Sequence, residues 1–139
     1  MRIVKEVEIQ GKTATALFDT GSLHTYVALR LLENVPSQAL RHPYKVALGG
    51  RTFEVKIHCS IQGSIEGLEF HTEAVPIDEI GNADGKKIDI IIGALTMEEW
   101  EIIPNPKEGT LDLSGLKRRE FTEFSVYLKS NPCPPPLKT

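Results

Sequence analysis

Residues 14–22 read Ala14-Thr15-Ala16-Leu17-Phe18-Asp19-Thr20-Gly21-Ser22. Apolar residues lead up to a carboxylate, and a hydroxyl, a glycine and a second hydroxyl follow it. Leu17 and Phe18 bring Asp19 to the rim of a low-dielectric core. Thr20 and Ser22 supply hydroxyls beside it, and Gly21 lets the backbone turn closely around the carboxyl group. Taken alone, Asp-Thr-Gly-Ser is also a set of favoured turn residues, so an ordinary β-turn accounts for it equally.

On the N-terminal side of this stretch, Ile3, Val7 and Ile9 interleave with charged residues. Gly11-Lys12 marks a turn, and Thr13 to Phe18 resume the alternation. The pattern predicts a β-hairpin with one buried face. On the other side, Tyr26 to Leu32 predict a short helix that ends in a loop at Pro36. Tyr44 to Leu48 and Thr52 to Ile57 are extended runs around Gly49-Gly50, a second hairpin. Cys59 to Gln62, a connection from Gly63 to Gly67, and Leu68 to Val75 predict a third pair.

Asp78 to Lys87 are polar and carry turn chemistry, so they read as a surface loop. Ile88-Asp89-Ile90-Ile91-Ile92 reads as a strand buried on both faces and closed by Gly93. Plain core architecture explains that run as well as any functional role does. Ala94 to Ile103 predict a helix stopped by Pro104 and Pro106, and Thr110 to Leu113 a last short strand. About seven strands and one or two helices make the class mostly β.

The chain has 139 residues, 40% apolar, 25% charged and 6% aromatic, which fits one globular domain. Its net charge of -3 excludes a global basic footprint, so no nucleic-acid partner is expected. No apolar run reaches the ~18 residues of a membrane span, and no membrane association is expected. Charges in Met1-Arg2-Ile3-Val4-Lys5-Glu6 occupy the place of a signal peptide's apolar stretch, which predicts a cytoplasmic protein. Cys59 and Cys133 are expected as reduced thiols.

His24, His42, His58 and His71 lack ligand spacing, so neither a metal nor another cofactor is expected. His24 lies five residues after Asp19 without triad grammar and reads as a surface or helix-entry histidine. Trp100 reads as core, and Glu98, Glu99 and Glu101 as a solvated helix face. After Gly115 the chain turns charged (Lys117-Arg118-Arg119-Glu120) and ends in a proline-rich segment around Pro132 to Pro136. A domain over 1–116 and a C-terminal extension over 117–139 follow.

The order and spacing of three pieces carry a resemblance. A hairpin leads into apolar-apolar-Asp19-Thr20-Gly21-Ser22. A glycine-tipped hairpin follows about 30 residues later, and then Ile91-Ile92-Gly93 passes directly into a helix. Over residues 2–114 the chain resembles the retropepsin-like (retroviral-type) aspartic proteases. The resemblance implies a small, closed, barrel-like β fold with one short C-terminal helix, active as a homodimer. It implies Asp19 as the catalytic carboxylate, one from each subunit, on an active-site loop with Thr20, Gly21 and Ser22. Thr20 would bond across the two-fold axis, and Gly21 would position the substrate backbone. Hairpin 44–57, with Leu48, Gly49, Gly50 and Arg51 at its tip, would be the substrate-binding flap, and Ile91-Ile92-Gly93 the structural apolar-Gly motif.

The function implied is an aspartic endopeptidase that takes an extended peptide or protein substrate. Ser22 is expected to donate a hydrogen bond to the Asp19 carboxylate, and an acidic activity optimum is expected with it. The rival class is a non-catalytic dimerisation or peptide-binding module on the same fold. A third reading is a protease confined to itself or one cognate protein through its 117–139 tail. Two features depart from the retroviral pattern: the flap lacks a multiple-glycine sequence, and the loop 78–87 and the tail lengthen the chain.

Overall fold

The computed structural model describes residues 2–119. Strands β1 (Arg2–Ile9) and β2 (Lys12–Asp19) form the expected hairpin, in register from Arg2↔Asp19 to Ile9↔Lys12. The turn is Gln10-Gly11, one residue earlier than expected. Strand β3 (Tyr26–Ala28) follows, then a single 3-10 turn over Leu29–Leu31. The helix expected over 26–32 is therefore absent. Tyr26, Val27 and Ala28 are all buried and pair with β6 (Leu68–Ile77), and Tyr26 and Val27 pair with β9 (Ile90–Ile92) on the other side. All these partners are far away in sequence, so sheet pairing overrides the local helical pattern.

Strands β4 (Ser37–Leu48) and β5 (Arg51–Ile65) make a long hairpin, with a bulge between Ala39 and Tyr44. Gly49 and Gly50 form its two-residue turn at φ 58° and 81°, backbone that a Cβ penalises by about 1–2 kcal/mol. Strand β5 runs straight through Gly63 and turns at Glu66-Gly67 into β6 (Leu68–Ile77). The expected separate strand 59–62 and residues 63–65 of the expected connection thus merge into β5, and only Glu66-Gly67 remain as the turn. Gly63 serves close packing and not a turn. A Cβ there would lie 2.8 Å from the Glu8 carbonyl oxygen and 3.0 Å from Phe70 Cε1.

The loop expected over 78–87 contains a small hairpin, β7 (Gly81–Ala83) and β8 (Lys86–Ile88). The apolar run then splits at Asp89: β8 pairs with β7, and β9 (Ile90–Ile92) joins the main sheet. Helix α1 (Ala94–Glu99) is shorter than the expected 94–103. Glu101 takes a positive φ of 52°, which turns the chain so that Trp100 and Ile102 are both buried. Ile103–Asn105 is strand β10, paired with β11 (Thr110–Asp112). A second short helix, α2 (Ser114–Arg118), joins the one expected and buries Leu116. The position taken as the domain boundary, 116/117, falls inside α2. The rest of the expected extension, with Cys133 and the proline-rich tail, lies outside the described residues.

The main sheet has the order β1-β2-β9-β3-β6-β5-β4, and β1 also pairs with β5 through Glu8↔Ser64 and Ile9↔Gly63. Six strands therefore close on themselves, with β4 attached outside β5. Two apolar clusters result. Phe18, Ile90 and Ile92 point into one with Ile9, Ile61 and Trp100. Leu17 and Ile91 point into the other, with Val55, Val46, Leu48 and Phe53 of the long hairpin. Successive residues at the end of β2 and along β9 thus bury opposite faces. This accounts for the apolar run of β9, while β2, expected to bury one face, buries both at Leu17 and Phe18. Full burial of Phe18 alone contributes about 2–3 kcal/mol.

Candidate active site

Strands β2 and β9 lie side by side in parallel, with Leu17 opposite Ile91 and Phe18 opposite Ile92. The two segments singled out in the sequence therefore meet, and Asp19 and Gly93 leave the sheet next to each other. Asp19 is half-buried, Thr20 and Gly21 are exposed, and Ser22 is half-buried. The Gly21 amide donates to Asp19 Oδ1 at 2.9 Å, and the Ser22 amide donates to the Asp19 carbonyl at 3.1 Å. The expected donor to the carboxylate was the Ser22 hydroxyl; the bond observed comes from the Gly21 backbone. A Cβ at Gly21 would sit 3.1 Å from that oxygen, so a glycine suits the approach.

The loop after Asp19 is clamped to the start of α1. The Ala94 amide donates to the Ser22 carbonyl at 2.7 Å, and the Leu95 amide to the Leu23 carbonyl at 3.1 Å. A Cβ on Gly93 would overlap the His24 carbonyl and approach the Leu23 carbonyl oxygen to 2.8 Å. Only glycine lets the two backbones touch here. The Gly93 amide donates to Thr25 Oγ1 at 3.1 Å. Thr25 Oγ1 lies 2.6 Å from Thr96 Oγ1, which lies 2.8 Å from Thr72 Oγ1. Thr25 and Thr96 are both buried.

Behind the loop, Asp89 is buried and fully satisfied. It accepts from the Thr15 amide at 2.8 Å and from Arg30 Nε at 3.1 Å, and Arg30 Nη2 lies 2.7 Å from its Oδ2. Burial pushes its carboxyl up, but the Arg30 guanidinium and the Thr15 amide outweigh burial and hold it below the usual carboxylate range.

The long hairpin ends with Leu48 half-buried and Gly49, Gly50 and Arg51 exposed. Arg51 Nη2 donates to the Glu79 carbonyl at 2.7 Å, which ties the tip to the segment after β6. At the hairpin base, Tyr44 packs on the His24 ring with centroids 5.2 Å apart, and its hydroxyl lies 2.6 Å from His58 Nε2. His24 is thus a packing partner of the hairpin, and burial together with the nearby His58 lowers its pKa.

A cleft of about 550 Å³ is lined by His24, His58, Thr72, Thr96 and their neighbours, and not by Asp19, which lies on an open face of the chain. Among the described residues no group of three or more His, Cys, Asp or Glu is gathered as a metal site. No helix among them is long and apolar enough to cross a membrane. Cys59 is a buried free thiol, raised in pKa by burial and by Glu73. Trp100 is buried and its Nε1 donates to the His71 carbonyl at 2.8 Å.

Sequence reasoning missed Thr25, Thr72, Thr96, Arg30 and Tyr44. Each is a single residue of ordinary type without motif spacing, and its partner is fixed only by folding.

The fold has counterparts among solved structures. The retroviral protease-like domain of Ddi1 from Leishmania major matches with a TM-score of 0.54 at 13% identity, covering 84% of this chain and 87% of that one. The protease of Simian Foamy Virus (mac) matches with a TM-score of 0.45 at 15% identity, over 70% of this chain and 92% of that one. The EIAV protease, in complex with the inhibitor HBY-793, gives 0.46 at 16% identity, over 71% and 88%. No family model and no curated protein matches the sequence. The fold is retropepsin-like.

Proposed function

We propose that this chain is an aspartic endopeptidase that works as a homodimer, with Asp19 from each subunit forming one catalytic pair. The observation that carries the reading is the position of Asp19. It ends β2 beside Gly93, its carboxyl oxygen is held by the Gly21 amide at 2.9 Å, and the loop carrying it is open on its outer side. The sequence holds one Asp-Thr-Gly, so each chain supplies half of such a pair.

Two carboxyl groups a few ångströms apart cannot both ionise cheaply, so they share a proton, and the pair titrates as a unit. The ionised member takes a proton from water as the water oxygen attacks the scissile carbonyl carbon. The protonated member gives its proton to the carbonyl oxygen. The resulting gem-diol collapses as the C–N bond breaks, and a carboxyl proton goes to the leaving nitrogen. The long hairpin, tipped by Gly49-Gly50, would serve as the flap that covers an extended substrate and excludes water. Its apolar underside supports this, because Val46, Leu48 and Phe53 belong to the same cluster as Leu17 and Ile91 beside the site.

The test is cleavage of a diverse peptide mixture across pH, with and without a statine-type inhibitor, by the wild type and by Asp19→Asn. The expected result is inhibitor-sensitive cleavage that peaks below neutral pH and vanishes in Asp19→Asn, while sedimentation shows both proteins as dimers at micromolar concentration. Wild-type rates in Asp19→Asn, or cleavage by a strict monomer, would overturn the proposal. No cleavage by the wild type would favour the non-catalytic binding module.

A further inference from the structure

The hydroxyl bonds behind the Asp19 loop have a direction. The Gly93 amide can only donate, and it donates to Thr25 Oγ1. At the far end, the Thr72 hydroxyl donates to the Glu73 carbonyl at 3.3 Å, and a carbonyl can only accept. Three hydroxyl protons lie between these ends. All four bonds are made at once in one arrangement only: Gly93 N–H to Thr25, Thr25 O–H to Thr96, Thr96 O–H to Thr72, and Thr72 O–H to Glu73. Bonds that all run one way polarise and strengthen one another.

The chain joins the start of α1, the segment that follows the Asp19 loop, and strand β6. Its first link holds Gly93, which lies beside Asp19 through the Phe18↔Ile92 pairing and touches the His24 carbonyl. The bonds from Ala94 to Ser22 and from Leu95 to Leu23 carry the same restraint into the loop. Thr96 is the middle link, buried and bonded on both sides. Valine matches its shape but can neither accept from Thr25 nor donate to Thr72.

We propose that Thr96 is a positioning residue, whose hydroxyl fixes Gly93 and thereby sets the Asp19 loop. It touches no reacting atom and acts through Thr25 and Gly93. Its kinetic consequence rests on the aspartic-protease reading; its structural consequence does not.

The experiment compares wild type, Thr96→Val and Thr96→Ser by residue-resolved amide hydrogen exchange and by peptide-cleavage kinetics. In Thr96→Val the Gly93 and Ala94 amides should exchange about tenfold faster, while amides of the β1–β2 and β5–β6 pairs stay at wild-type rates. The kcat should fall about tenfold with KM within about twofold. Thr96→Ser, which keeps the hydroxyl, should restore both. Unchanged exchange at Gly93 and Ala94, or exchange accelerated uniformly across the sheet, would overturn the proposal. So would a failure of Thr96→Ser to restore them. If Thr96→Val does not fold, Thr72→Val removes the next, more exposed link, and the same localised change is required. Absence of cleavage in all three proteins would count against the protease reading alone, because the exchange rates still decide the role of Thr96.

Discussion

Arg30 and Asp89 are bound face to face across 59 residues of sequence, Nε to Oδ1 at 3.1 Å and Nη2 to Oδ2 at 2.7 Å. The pair sits where the apolar run 88–92 breaks. It lets a charged residue lie buried between the small hairpin β7–β8 and the central strand β9. The Asp89 backbone is used as well: its amide donates to the Thr15 carbonyl, and its carbonyl accepts from Ala28. One residue thus ties β2, β9 and the end of β3 together behind the Asp19 loop.

Asp89→Asn should lower unfolding free energy at pH 7 by about 2 kcal/mol. The figure lies below that for a fully buried pair because the Arg30 side chain is 49% exposed. The folded carboxyl lies below its ordinary value of 3.8, so its stabilisation is fully present above that value and is lost as pH falls through the folded value. Urea titrations of both proteins at pH 7 and pH 3 check this. The gap between them should shrink at pH 3, and an equal gap at both would refute it.

Gly93→Ala should cost about 3 kcal/mol, since its Cβ would meet two backbone carbonyl oxygens that cannot rotate aside. Chemical denaturation measures the loss. By contrast, Gly11→Ala has open space around its Cβ and should cost only the penalty of its positive φ of 77°, about 1–2 kcal/mol. A Gly93 variant no worse than the Gly11 variant would contradict the close approach.

His24 should make the protein less stable as pH falls through the ordinary histidine range. Burial, and then the nearby His58, depress its folded pKa below 6.5, so the unfolded chain takes up a proton first. Its contribution is fully present above pH 6.5 and declines below it. Denaturant midpoints at pH 7.5 and pH 5 should therefore fall more for wild type than for His24→Gln. Parallel falls would remove His24 from the account.

The parts of the fold legible in the sequence are those set by neighbouring residues. Alternation from Ile3 to Ile9 marks β1, Gly49-Gly50 marks the tight turn of the long hairpin, and the apolar residues Ile90 to Ile92 mark β9, though not the break before it at Asp89. Asp19-Thr20-Gly21 stands at the end of its strand as its apolar lead-in implies. Where partners are distant the local signal failed. Tyr26 to Ala28 carry a pattern that suits a helix or a strand. Val75 and Ile91, which pair with Tyr26, decide the matter, and neither is near it in the chain. Gly63 carries turn chemistry because a strand has no local use for a glycine, and only the pairing of β1 with β5, which brings Glu8 and Ile9 against it, supplies one.

The sequence by itself determined which short segments alternate, where the tight turn of the long hairpin falls, and that a single carboxylate follows an apolar strand. Those properties depend on periodicity and on backbone preference, which act over a few residues. Only the tertiary structure decided that Ile92-Gly93 lies against Phe18-Asp19, that Arg30 meets Asp89, and that Thr25, Thr96 and Thr72 share one line of hydrogen bonds. Such contacts carry no local signature. They arise when closing the barrel buries polar groups, and each buried group must then find its partner wherever in the chain that partner lies.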